Sequence, residues 1–116
     1  MNTKARFTSL ALALMLSSGA ALAADLKIGV AMSQFDDTYL TYMREDMGKK
    51  VKDMGGVDLQ FVDGRNDVNK QLDQVQELIG KKVDALIVNP VDTAATARIT
   101  KAATAAGIPL VYVNRR

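Results

Sequence analysis

The sequence predicts an α/β protein built on a doubly wound parallel sheet. Three observations carry that expectation. Strand-like and helix-like segments alternate from residue 26 to the end of the chain. The strand segments are short, nearly continuous apolar runs, the pattern of strands buried on both faces. Their starts fall near residues 26, 58, 85 and 109, with one helical segment between each pair. Helical crossovers of one hand then place helices on both faces of the sheet. In a flavodoxin-like order 2-1-3-4 the fourth strand lies at an edge.

Each element has a local reason. "LKIGVAMS" (residues 26–33) is apolar and β-branched. From about residue 39 to 54, Leu40, Met43, Met47, Val51 and Met54 recur every three or four positions, a helical stripe that Gly55 and Gly56 end. "DLQFVD" (residues 58–63) is the second strand, followed by the turn-rich "GRNDVN". Val68, Leu72, Val75 and Ile79 mark a second helix, with Gly80 near its end. "ALIV" (residues 85–88) is the third strand, closed by Asn89-Pro90. Asp92 then offers an N-cap to an alanine-rich helix with Ala95, Ile99, Ala102, Ala103 and Ala106 on its apolar side. Gly107 ends that helix and Pro109 opens the fourth strand.

The first 23 residues have a different character. Lys4 and Arg6 precede a small and apolar run from 7 to 16, and Ala21-Leu22-Ala23 fits the A-x-A cleavage pattern. This order of regions reads as a secretory signal peptide over residues 1–23, with the mature chain starting at Ala24. The leader holds two of the 15 Lys and Arg residues and none of the 13 Asp and Glu residues. The rest of the chain is therefore formally neutral. The basic balance belongs to the leader and does not point to nucleic acid. No later segment reaches transmembrane length. The chain has no Cys and no His. A disulfide scaffold, thiolate or histidine metal sites, cysteine nucleophiles and a Ser-His-Asp arrangement are all excluded.

In a doubly wound sheet, ligands bind beyond the C-terminal ends of the strands. That directs attention to residues 34–38, 64–67, 89–92 and 114 onward. The first of these loops reads "SQFDDTYL", with two carboxylates, two hydroxyls and two aromatic rings. Carboxylates accept from hydroxyls and rings pack on C–H faces, the chemistry that holds a neutral polyol. Asp36 or Asp37 is also suited to cap the next helix, and Tyr39 suits either a core or a ligand platform. Arg65, Asn66 and Asp67 in the second loop, and Pro90 and Asp92 in the third, read as turn and cap residues. After the fourth strand, Asn114 can donate and accept, and the planar fork of Arg115 can span two neighbouring hydroxyls. Neither GxGxxG nor GxxxxGK[ST] is present, so phosphate-cradling loops of those kinds are not expected.

Three stretches, "KIGVAMSQFDDTYLTYMRE", "DGRNDVNKQLDQVQELIGKKVDALIVNPVDTAA" and "AGIPLVYVNRR", closely resemble the periplasmic sugar-binding proteins of ABC importers. The likeness is to the ribose/galactose-type family, and within it to the inositol- and rhizopine-binding group. The resemblance implies a type I periplasmic binding fold. Two α/β domains clamp a sugar or cyclitol between them and present the closed form to an inner-membrane permease. It places the family's hydrogen-bond acceptor on Asp37, its stacking aromatic on Tyr39, and its polar pair on Asn114 and Arg115. The ribose-type pattern often carries a second aromatic after the first. Here that position is Leu40, which argues against a plain ribose site. The expected ligand is inositol, a rhizopine-like derivative or a related sugar, with no cofactor, no metal and no catalysis. Residues 24–116 are then an incomplete N-terminal sugar-binding domain, located in the periplasm. Two rival classes share the fold: the ligand domain of a sugar-responsive transcription regulator, and an α/β enzyme of the cell envelope. A regulator would begin with a helix-turn-helix where this chain has an export signal.

Overall fold

The computed structural model describes residues 25–115; the expected signal peptide and Arg116 lie outside the described residues. Four parallel strands form one sheet: β1 (Leu26–Met32), β2 (Val57–Asp63), β3 (Ala85–Val88) and β4 (Leu110–Tyr112). They lie in the order β2-β1-β3-β4, and every pairing is parallel. Helix α1 (Thr38–Met54) joins β1 to β2, α2 (Val68–Gly80) joins β2 to β3, and α3 (Thr96–Ala105) joins β3 to β4. The doubly wound class expected from the sequence is observed, and its order is the flavodoxin-like 2-1-3-4.

Period-two alternation along β1 divides the core into two layers. Val30 and Met32 face α1 and pack with Leu40, Met43 and Met47, joined by Leu59, Phe61 and Ile87. Ala31, Leu86 and Val88 face the other way, against Val75 and Leu78 of α2 and Ile99 and Ala103 of α3. The small residues of β1 on that side have a purpose. A Cβ on Gly29 would come within 2.8 Å of Leu78 Cδ1, so glycine lets α2 approach the strand closely. Tyr112 anchors the edge strand β4. Its hydroxyl donates to Thr96 O and shares a hydrogen bond with Thr100 Oγ1, both at 2.8 Å.

The two faces are not covered equally. Among the described residues, two helices lie on one face and only α1 on the other. Val111 of β4 stays 58% exposed, and an apolar groove runs between α1 and the sheet. Three details differ from the sequence reading. The most buried residues of α2 are Gln71, Val75 and Leu78, while the expected Leu72 and Ile79 are half-buried and pack against the same core. Asp92 caps a 3₁₀ turn (Thr93–Ala95) by accepting from Ala94 N at 2.8 Å, and α3 begins only after it. Ala106, expected on the apolar side, is exposed beyond the end of α3.

Candidate functional site

The C-terminal ends of the four strands meet at one edge of the sheet, and a buried polar network ties them together. Asn89, directly after β3, is 0% exposed. Its Oδ1 accepts from Ser33 N at 3.2 Å and from Ser33 Oγ at 2.6 Å, at the end of β1. Its Nδ2 donates to Val113 O at 3.3 Å, at the end of β4. Gln71, 2% exposed on α2, adds a second bridge. Its Nε2 donates to Asn89 O at 2.9 Å, and its Oε1 accepts from Val91 N at 2.9 Å. Buried polar groups left without partners are costly, so a network this complete fixes three loops relative to one another.

The second loop is pressed onto the first by backbone contacts. Gly64 N donates to Met32 O at 2.9 Å, and Asn66 N donates to Ser33 O at 2.7 Å. A Cβ on Gly64 would sit 2.8 Å from Met32 O, so only glycine fits there without a shift. Arg65 (φ 49°) and Asn66 (φ 59°) are both left-handed and close a tight turn, with Asp67 N donating to Gly64 O at 2.9 Å. Asp67 then caps α2 through Lys70 N at 3.0 Å. Gln34, Asp36, Asp63 and Arg65 surround a polar recess of about 410 Å³ between these two loops.

Asp37 is the N-cap of α1, with extended backbone geometry and Oδ1 accepting from Leu40 N at 3.0 Å. One carboxylate oxygen is thereby used for the helix. Asp36, its neighbour, is exposed. Tyr39 stands in the first turn of α1 with 60% of its surface exposed. It lines the apolar groove beside Tyr42 and Met43, not the polar recess. Asn114 and Arg115 are exposed beyond β4. Asn114 adopts φ 65°, closed by a bond from Arg115 N to Val113 O at 2.7 Å. Arg115 Nη1 donates to Val91 O at 3.3 Å, which draws the guanidinium toward the third loop.

The sheet edge therefore brings Asp37 and the Asn114-Arg115 pair to the same side of the molecule. They follow β1 and β4, which are separated by β3 alone. Tyr39, only two residues after Asp37, instead lines the apolar groove. The larger apolar groove, about 570 Å³, lacks the convergent donors and acceptors that a polyol requires and runs along α1 rather than across the strand ends. Among the described residues no cluster of His, Cys, Asp and Glu is arranged to hold a metal.

Residues 28–116 match the periplasmic binding protein domain family. The chain belongs to that family. A Rhizobium meliloti protein named for rhizopine binding is 53% identical over 88 residues, 76% of this chain and 28% of that protein. The D-galactose/methyl-galactoside binding periplasmic protein of Haemophilus influenzae is 38% identical over 116 residues, 99% of this chain and 35% of that one. Among solved structures, an ABC transporter solute binding protein from Bacillus halodurans C-125 with bound myo-inositol has a TM-score of 0.74 and 37% identity. That match covers 80% of this chain and 32% of the other. The chain thus spans about a third of the length of these relatives.

Sequence reasoning missed the Ser33–Gln71–Asn89 network. One signal for it was present: Gln71 falls at the spacing of Val75 and Leu78 on α2, a polar side chain on the buried stripe. It also missed the packing of Arg44 on Phe35, for which the sequence offers only two residues nine apart.

Proposed function

We propose that this chain supplies one wall of a polyol-binding cleft in a solute-binding protein of a carbohydrate ABC importer, acting in the periplasm. Asp37 offers its second carboxylate oxygen to ligand hydroxyls, Arg115 spans two of them with its fork, and Asn114 both donates and accepts. Tyr39, the aromatic that the family resemblance points to, lies exposed beside the apolar groove and would have to turn its ring toward the strand ends to meet a C–H face. The observation that supports the reading is that the loops bearing Asp37, Asn114 and Arg115 leave the C-terminal ends of β1 and β4, strand ends that buried Asn89 ties together. The likeness to proteins named for rhizopine and solved with myo-inositol supports inositol, a rhizopine-like derivative or a related sugar as ligand. The relatives' threefold greater length supports a two-domain clamp in which this chain is part of the N-terminal domain. A permease in the inner membrane is then the macromolecular partner, and binding rather than turnover is the role.

The test is calorimetric titration of the full-length protein with myo-inositol, D-galactose and D-ribose. Saturable binding of a cyclitol or aldose at micromolar concentration is expected, with ribose weakest. No heat from any of the three would refute the reading. The chain alone presents one wall of the cleft, so it should bind more weakly than about 1 mM.

A further inference from the structure

We propose that Arg44 is a positioning residue that holds the first loop, and with it Asp37, in the conformation that receives ligand. The inference rests on the binding role just described. Arg44 is part-buried on the second turn of α1. Its guanidinium carbon lies 3.9 Å from the centre of the Phe35 ring. Its Nη2 donates to Phe35 O at 3.1 Å and reaches Thr41 Oγ1 at 3.4 Å. Thr41 Oγ1 in turn lies 3.0 Å from both Phe35 O and Asp37 O. One guanidinium therefore grips the loop twice, over the ring and at the carbonyl of the same residue.

Two further observations indicate why this matters for Asp37. Among the described residues, no backbone–backbone hydrogen bond outside helices and strands involves residues 34, 35 or 36, so the loop is not held by its own main chain. Phe35 packs into the layer formed by Val30, Met32 and Leu40, which leaves Arg44 and Thr41 to fix the carbonyl that precedes the Asp36-Asp37 pair. Arg44 also gives something up to be there. Its Nε is buried with no hydrogen-bond partner, and the only ion pair among the described residues is Lys49–Asp46. A cation with no carboxylate partner and an orphaned donor is poor design for stability alone. It suits a group whose flat face and fork are both used to shape a loop.

The experiment combines two readouts on Arg44→Met and Arg44→Lys. Hydrogen exchange on the full chain without ligand reports the cap directly, because Leu40 N donates to Asp37 Oδ1 and Thr41 N donates to Asp37 O. Both variants should exchange these two amides about tenfold faster, with amides of β1 and α2 unchanged. In the full-length protein, both should raise the dissociation constant for myo-inositol about tenfold while the ligand-free melting temperature stays within a few degrees. Unchanged exchange at Leu40 and Thr41, restoration by Lys, an equal rise in exchange across β1 and α2, or faster exchange without loss of affinity would each overturn the proposal. If the unaltered protein binds none of the polyols, the binding role fails, and the exchange data still decide whether Arg44 holds the loop.

Discussion

Replacing Asn89 with alanine should be among the most damaging single changes at the sheet edge. Asn89 makes three side-chain hydrogen bonds: two from Ser33, which is 2% exposed, and one to Val113 O. Alanine leaves Ser33 N without its partner, while Val113 O keeps the bond from Arg115 N at 2.7 Å and the Ser33 hydroxyl can rotate in search of another. An orphaned buried polar group costs about 1–3 kcal/mol. For a domain of this size that is a melting shift of at least about 5 °C. With a urea dependence near 1 kcal/mol per molar, the unfolding midpoint falls by about 1 M or more. Asn89→Asp has nearly the same shape but places an oxygen where Nδ2 meets Val113 O, so it should be no better. Asp36→Ala is the control. It removes an exposed side chain with no hydrogen bond in the structure, and should stay within about 0.5 kcal/mol of the parent. Urea unfolding of the chain followed by circular dichroism decides it. A loss below about 0.5 kcal/mol for Asn89→Ala would show that the network does not hold the edge together.

Two glycines should respond with opposite signs in the same assay. Gly64→Ala drives a methyl to 2.8 Å from Met32 O and should cost about 1–3 kcal/mol, whereas Gly48→Ala meets nothing within 4 Å on α1 and should gain about 0.5–1 kcal/mol; equal effects would contradict the packing described. In the full-length protein Arg115→Ala should weaken polyol binding about tenfold or more with little change in ligand-free melting, because Arg115 is exposed and makes one long side-chain bond. Arg115→Lys should not restore affinity, and an unchanged dissociation constant would leave Arg115 a surface charge. Mass spectrometry of a periplasmic fraction should find Ala24 as the first residue, and an intact Met1 there would remove the signal peptide.

The regular part of this fold was legible because its signals are local. The apolar run "ALIV" appears as β3 over the expected residues, and Gly55 and Gly56, both at positive φ, stop α1 where the sequence places the break. The doubly wound parallel class followed from the alternation of elements, and that class in turn directed attention to the strand ends. Side-chain assignment within the loops was harder, because the same residue types cap helices and bind ligands. Asp37 illustrates it: one oxygen caps α1, and only the other is free for the proposed ligand. The burial of Gln71 on α2 was missed because it counts as polar in a periodicity, although three backbone groups of β1 and the third loop satisfy it inside the protein. Asn89 looked like a turn residue before proline. Its role depends on Ser33 and Val113, which are 56 and 24 positions away and become neighbours only once β1 and β4 flank β3.

The most direct test of the polyol-cleft assignment is a crystal structure of the full-length protein with bound myo-inositol. The expected result is a cyclitol across the C-terminal edge of this sheet. Asp37 and Arg115 should lie within about 3.2 Å of its hydroxyls, with Asn89 still turned inward to Ser33. A ligand seated in the apolar groove along α1, or held without contact to Asp37, Asn114 or Arg115, would contradict it.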